Sequence, residues 1–263
     1  MTTSLRDVVA ALEGLYPPGL AEDWDAVGLV CGEPSAVVTR VLFAVDPVEA
    51  VVDEALTTGA QLLVTHHPLY LRGTSSVAAD SAKGRVVHRL ITGGCGLFVA
   101  HTNADRAEGG VNDALAALFD LVGTTPLDPG GLGRVGDLPQ PMPLADLVAR
   151  AAAVLPSTSW GVRGSGDPAA VVARLAVCGG AGDGALELAA ASGAQAYLTA
   201  DLRHHLVQEA PAGLALIDAA HWATEWPWLP VAAAALAKVV DVETTVSSTC
   251  TDPWTTAARS SGA

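Results

Sequence analysis

The stretch Leu62-Leu63-Val64-Thr65-His66-His67-Pro68-Leu69 decides how the rest of the chain reads. Leu62, Leu63 and Val64 form a short apolar run of the kind that becomes a buried strand. It stops abruptly at two adjacent histidines and a proline. Pro68 biases His67 away from helical backbone, so the chain is expected to stay extended past the strand's end. Two imidazoles are thus placed on rigid backbone at the carboxyl end of a strand. In open α/β sheets that is where ligands bind.

Working outward, residues 37–45 read as another buried strand and residues 48–58 as a helix capped by Gly59. After the histidines comes a polar loop, 72–80, then a helix through about Ile91. Residues 97–100 form a third strand, which ends in His101-Thr102-Asn103-Ala104-Asp105. Gly109 and Gly110 precede a helix over 111–119. At the start, Leu5, Val8, Val9, Leu12 and Leu15 fall at helical spacing, and Tyr16-Pro17-Pro18-Gly19 stops them. Strand and helix alternate, which predicts a parallel sheet layered with helices.

The second half repeats this order. Gly59-Ala60-Gln61 corresponds to Gly193-Ala194-Gln195, at 193 − 59 = 134, and Arg40-Val41-Leu42 to Arg174-Leu175-Ala176, at 174 − 40 = 134. A third match, Gly96-Leu97 with Gly213-Leu214, lies at 213 − 96 = 117, which implies a shorter intervening helix. A helix over 231–238 and a last strand over 242–246 complete this half. The expected fold is α/β: two similar layered halves from an internal duplication, residues 1–125 and 126–263, joined near 124–136 with no large inserted domain.

Within the joint, Gly131-Leu132-Gly133-Arg134-Val135-Gly136 fits GxGxxG. A dinucleotide site needs a strand before it and a helix N-terminus after it to hold the pyrophosphate. Asp128-Pro129-Gly130 precedes it and Asp137-Leu138-Pro139 follows, so we read a glycine-rich turn or short edge strand. Residues 144–154 read as a helix, with Pro143 near its start.

Half of the 263 residues are apolar, 16% are charged and the formal charge is −14. A substantial core is available. An acidic surface repels nucleic acid and anionic membrane, although bound metal would make a site locally positive. Cys31, Cys95, Cys178 and Cys250 are far apart, with no CxxC pair. They fit neither a zinc knuckle nor a disulfide framework, and read as reduced thiols in a cytoplasmic protein. The first residues show no signal-peptide apolar region. The most apolar helix-like piece, 231–240, is too short to span a bilayer and carries Lys238.

Polar residues gather at strand ends: Asp46; His66 and His67; His101 and Asp105; Thr199 and Asp201, with His204 and His205 after them; and His221. Glu225 follows His221 by four, so on a helical turn both face one way. Six of the seven histidines fall at such ends, and only His88 sits inside a helix pattern. Imidazole with carboxylate suits zinc, iron, manganese, cobalt or nickel. Two metals could share such donors if a carboxylate bridges, leaving positions open for water, as in metal-assisted hydrolysis.

Several motifs carry a resemblance. Trp24-Asp25-x-Val27-Gly28-Leu29, Thr65-His66-His67-Pro68-Leu69, His101-Thr102-Asn103-x-Asp105, Gly110-Val111-Asn112-Asp113 and His221-x-x-x-Glu225 resemble the NIF-three-like dinuclear-metal family, the GTP cyclohydrolase I type 2 homologs. The resemblance implies a two-domain α/β subunit in a toroidal homohexamer with metal sites facing an internal cavity. On the matching positions it implies two divalent metal ions per subunit, held by His66, His67, Asp105, His221 and Glu225, with one or both carboxylates bridging. Two positions depart from the family pattern: Ala26 stands where Asn is usual, and Ala200 where Gly is usual. His101 reads as orienting Asp105 or a water, the alternative being a strand-end cap by hydrogen bonding. His204 and His205 are candidates to line the cavity and transfer protons. Asp201, which could also line the cavity, and Asp46, which could also touch the site, read as helix caps, and Trp24 and Asp25 as packing and turn-capping residues. The implied function is a metal-dependent hydrolase acting on a nucleotide or other small anionic phosphate compound. The alternative from another class is a non-enzymatic metal-storage, metal-delivery or scaffold hexamer.

Overall fold

The computed structural model describes residues 2–258, and the chain forms two compact units, each built on its own sheet. The first runs up to Gly110 and takes back Trp228–Thr251; the second is Val111–Pro227 with the segment that follows Thr251. The outer ends of the division read from the sequence, residue 1 and residues 259–263, lie outside the described residues. Among the described residues no helix is long and apolar enough to cross a membrane.

In chain order the first unit has α1 (Leu5–Leu15), β1 (Gly28–Cys31), β2 (Arg40–Ala44), α2 (Glu49–Thr58), β3 (Leu62–Thr65), α3 (Ala82–Thr92), β4 (Gly96–Val99) and α4 (Thr102–Arg106). The second has α5 (Val111–Leu118), β5 (Val122–Thr125), β6 (Arg134–Pro143), α6 (Leu144–Val154), β7 (Arg163–Ser165), β8 (Val171–Ala181), α7 (Leu186–Ala191), β9 (Ala196–Ala200), α8 (His204–Gln208), β10 (Ala215–Ala219) and α9 (His221–Glu225). The chain then returns to the first unit with α10 (Trp228–Val239) and β11 (Glu243–Val246).

Local chemistry explains the boundaries. Ser4 caps α1 in a box with Asp7, each satisfying a backbone N–H of the other. Gly59 ends α2 in the left-handed conformation at φ 70°, which costs glycine no side-chain clash. Leu62 to Thr65 are buried at every position, as a central parallel strand must be with helices on both faces. The first core follows: Leu42, Leu63 and Leu97 pack on Val51, Val52 and Leu90.

The first sheet has order β1-β4-β3-β2-β11 and the second β5-β6-β8-β9-β10-β7. Both place parallel strands at the centre and an antiparallel strand, β1 or β7, at one end. A repeated hydrogen-bond device marks the correspondence. Gln61 Oε1 accepts from the amides of Thr39 and Arg40 at 3.0 and 2.9 Å, and Gln195 Oε1 from those of Ala173 and Arg174 at 3.1 and 2.7 Å. The backbone of Gln61 and Gln195 then crosses to the third strand through Gly96 N–H and Ala215 N–H.

That last pair corrects the third match. Gly96 pairs with Leu62, and Ala215 pairs with Ala196, so the offset is 215 − 96 = 119 and not the 117 expected from Gly213. The last strand is also reassigned: β11 pairs in parallel with β2 in the first sheet, not with the second half that precedes it. The expected joint at 124–136 is the β5–β6 hairpin of the second sheet. Its glycines turn the chain, with Leu127 N–H donating to Leu132 O at 2.9 Å. The strand that follows is interior, flanked by β5 and β8, so the edge-strand reading does not hold.

Candidate metal centre

In the first unit, the carboxyl ends of β3 and β4 bring three imidazoles together. The amides of His66 and His67 extend the β2–β3 ladder, donating to Ala44 O and Val45 O at 3.2 and 2.9 Å. Thr65 Oγ1 donates to His67 O at 2.9 Å and fixes the turn into Pro68. His101 follows β4, where Asn103 Oδ1 accepts its amide at 2.9 Å and Asn103 Nδ2 donates to Tyr16 O at 2.8 Å. The Asn of the HTNxD motif is therefore a buried clamp on the loop. One ring nitrogen from each of His66, His67 and His101 lies within 4.8 Å of the others.

Each of these rings is held through Nδ1. His66 Nδ1 bonds Ala100 O at 3.0 Å, His67 Nδ1 bonds Asp46 Oδ1 at 2.7 Å and His101 Nδ1 bonds Asp25 Oδ1 at 2.9 Å. An acceptor at Nδ1 fixes the tautomer that leaves Nε2 as the lone-pair donor. Behind them, Asp46 accepts from the Thr251 hydroxyl, and Asp25 from the Thr102 amide and hydroxyl. Burial pushes the Asp25 carboxyl up, but hydrogen bonds from His101 and Thr102 outweigh it and hold the group well below the usual carboxylate range. His66 is buried edge-on to Trp228, with ring centroids 5.6 Å apart, and Trp228 rests on Tyr16 at 5.3 Å. Asp105 Oδ1 lies 3.7 Å from His66 Nε2. Two donors on one tetrahedral ion, at bonds of about 2.0–2.1 Å, sit roughly 3.3 Å apart, so that gap fits a shared cation better than a direct hydrogen bond.

In the second unit, α9 is one helical turn, and its i, i+4 pair closes: His221 Nε2 lies 2.9 Å from Glu225 Oε1. His221 Nδ1 bonds Asp201 Oδ2 at 2.7 Å. Glu225 is buried, and Pro227 falls just beyond the turn, where its ring disturbs no helical bond. Thr224 Oγ1 accepts Gly180 N–H at 2.9 Å and donates to His221 O at 2.7 Å, pinning α9 to the end of β8. Gly180 has φ 66°, and a Cβ there would press on Glu225 Oε1 and stand 3.0 Å from His221 Nε2. Nearby, Asn112 Oδ1 accepts Gly179 N–H at 2.9 Å and Asp113 pairs with Arg134, which gives the GVND motif its structural work.

Three assignments change. Asp46 is not the cap of α2, whose N-cap is Val48; it orients His67. Asp201 is not the cap of α8, whose N-cap is Arg203; it takes φ 58° and orients His221. Trp24 does not pack in the core: it is 58% exposed, edge-on to the His101 ring at 6.1 Å. Asp25 does cap its turn, through the Ala26 amide at 2.7 Å, and binds His101 as well. His204 and His205 are exposed at the start of α8. His204 lines a pocket of the second unit with Arg163, Leu202 and Asp218.

Residues 3–253 match the family model described as Duf34/NIF3 (NGG1p interacting factor 3). The chain belongs to this family. It is 55% identical over 266 residues to a Streptomyces coelicolor protein named GTP cyclohydrolase 1 type 2 homolog, covering 95% of this chain and 93% of that one. A solved Bacillus cereus protein related to NIF3 matches with TM-score 0.90 at 24% identity, over 97% of this chain and 99% of that chain. A Staphylococcus aureus hypothetical protein matches with TM-score 0.89 at 27% identity, over the same shares. The α/β architecture with two sheets is thus the NIF3 fold, and its His and Glu clusters have the chemistry of a metal site.

Proposed function

We propose that this NIF3-family chain is a metal-dependent hydrolase of a nucleotide or related phosphate compound. Two divalent ions per subunit would be held by His66, His67, Asp105, His221 and Glu225. One observation carries the reading: all four histidines at these strand ends are hydrogen-bonded through Nδ1, to Ala100 O, Asp46, Asp25 and Asp201, so each presents Nε2. Ligating histidines have that outer partner almost without exception, and a set of unrelated surface histidines does not. The donor set, imidazole and carboxylate, suits zinc, iron, manganese, cobalt or nickel.

Such ions, when bound, supply Lewis acidity that polarises a substrate oxygen and makes water nucleophilic near neutral pH. The chain's own part is positioning and proton handling. Asp25 keeps the His101 proton on Nδ1, so His101 Nε2 can accept one from the attacking water and return it to the leaving group. His66, walled by Trp228, excludes water from one side. The names of the relatives support ring opening of GTP with release of formate as the first reaction to try. The resemblance also supports a cytoplasmic homohexamer.

Metal analysis of the purified protein tests the reading. About two ions per subunit are expected for the parent, with clear loss in Asp105→Ala and Glu225→Ala, and GTP turnover abolished in His67→Ala. Unchanged metal content in either carboxylate variant removes that residue from the site. Intact metal with no turnover across a broad phosphate-ester panel favours storage, delivery or scaffolding instead.

A further inference from the structure

One pocket of the first unit opens directly beside His67. It has a volume of about 390 Å³, and its apolar wall is made by Pro47, Val48, Pro68, Leu69 and Val86. That volume lies at the lower end of the roughly 300–1,000 Å³ usual for small-molecule sites, enough for one ring system and its substituents. Three charged side chains face it: Asp46, Glu49 and Lys83. Both carboxylates have hydrogen-bond partners. Asp46 accepts from His67 and Thr251, and Glu49 accepts from Arg85 Nε at 3.0 Å. Lys83 makes no ion pair among the described residues; its ammonium lies 5.7 Å from the centre of the Tyr70 ring. Most arginines of the chain, by contrast, are matched to a carboxylate, as Arg40 is to Glu243, Arg106 to Glu22 and Arg174 to Asp137. Arg6, Arg72 and Lys238 also show no ion pair among the described residues, but none of them lines this pocket. Lys83 also sits in the first turn of α3, where the helix dipole adds positive potential.

We propose that this pocket is the substrate subsite of the metal centre, with Lys83 holding the phosphate of a nucleoside phosphate and the apolar wall packing its base. The assignment rests on the hydrolase reading above for what happens at His67, but the binding itself does not need the ions. A lysine ammonium is a compact point charge suited to phosphate, and its flexible stem lets it follow the anion. The prolines and branched side chains offer a stiff apolar surface at little entropic cost. Glu49 is neutralised by Arg85 and the Asp46 oxygens are occupied by His67 and Thr251, which leaves Lys83 as the group in the lining suited to receive an anion.

The test is calorimetric titration of the full chain with GMP and with guanosine, before and after removal of metal by chelation. GMP is expected to bind the metal-free parent about tenfold tighter than guanosine. Lys83→Met should lose about that factor for GMP and nothing for guanosine, while Lys83→Arg keeps most of it. Lys83 is exposed on α3, so neither variant should disturb folding, and metal content should equal the parent's in both. Equal GMP affinity in parent and Lys83→Met, equal affinity of the parent for GMP and guanosine, or no GMP binding by the parent overturns the proposal. Failure of the metal-site reading would appear separately, as absent metal in the parent, with the chelated-protein titrations unaffected.

Discussion

Replacing Gly180 by alanine probes the His221–Glu225 pair of the second unit without replacing a proposed ligand. Gly180 stands at φ 66°, and the left-handed region costs an L residue about 1–2 kcal/mol. The new Cβ would also press on Glu225 Oε1 and lie 3.0 Å from His221 Nε2. The carboxylate cannot swing away freely, because Thr224 ties α9 to Gly180 itself and Glu225 is buried. Overpacking of this kind adds about 1–3 kcal/mol. The expected total is about 2–5 kcal/mol, read as a fall in urea midpoint at constant slope. Gly193→Ala is the control: φ is 79°, but nothing lies within 4 Å of its Cβ, so only the backbone cost of about 1–2 kcal/mol applies. The difference between the variants isolates the crowding. Displacing Glu225 should also lower metal content per subunit in Gly180→Ala and leave it intact in Gly193→Ala. Equal midpoints for the two variants, with full metal in both, would refute the close approach of Gly180 to the His221–Glu225 pair.

Other outcomes follow from the same geometry. His101→Ala should keep its metal yet lose about 10²–10⁴ in turnover, the range of a general base; loss of one ion would make His101 a ligand instead. Asp25→Asn should lower turnover in the same direction with metal retained, since the amide cannot hold the His101 tautomer as the carboxylate does. Burial pushes the Tyr16 phenol up from 10.0 to about 12. The folded state therefore holds that proton more tightly than the unfolded chain. Its contribution is intact below pH 10 and fades as pH rises toward about 12, by roughly 2–3 kcal/mol. Tyr16→Phe should lack that portion of alkaline destabilisation; an identical alkaline profile in denaturant titrations would contradict it. Gln61→Ala and Gln195→Ala each remove two hydrogen bonds from backbone amides that water can reach, at about 0.5–1.5 kcal/mol per bond. The double variant should add, because the two devices share no partner.

Much of the architecture was legible because it is written locally. The period of Leu5, Val8, Val9, Leu12 and Leu15 reads directly as α1, and Pro143 does stand at the N-cap of α6. Gly59 announces its own left-handed cap. What escaped was non-local. β11 carries no mark of its partner, since a parallel pairing with β2 leaves no turn between them. The third-strand register was misled by a Gly-Leu pair at Gly213, whereas the bond from Ala215 N–H to Gln195 O decides it. Asp201 and Asp46 read as helix caps because their partners His221 and His67 lie 20 and 21 positions away, beyond any spacing rule, and the bond of the turn-capping Asp25 to His101 spans 76.

The late return of β11 to the first sheet has a consequence for biosynthesis. A nascent chain that has emerged as far as Pro227 has every strand of the second sheet, yet the flank of β2 is still bare. That flank belongs to a strand whose last four residues are at most 1% exposed in the finished molecule. Until residues near Val246 clear the ribosome, it is an apolar ladder open to any passing strand. Chaperone dependence and aggregation on the ribosome should therefore concentrate in the last stretch of translation, and a chain halted before β11 should be captured far more readily than one halted after it.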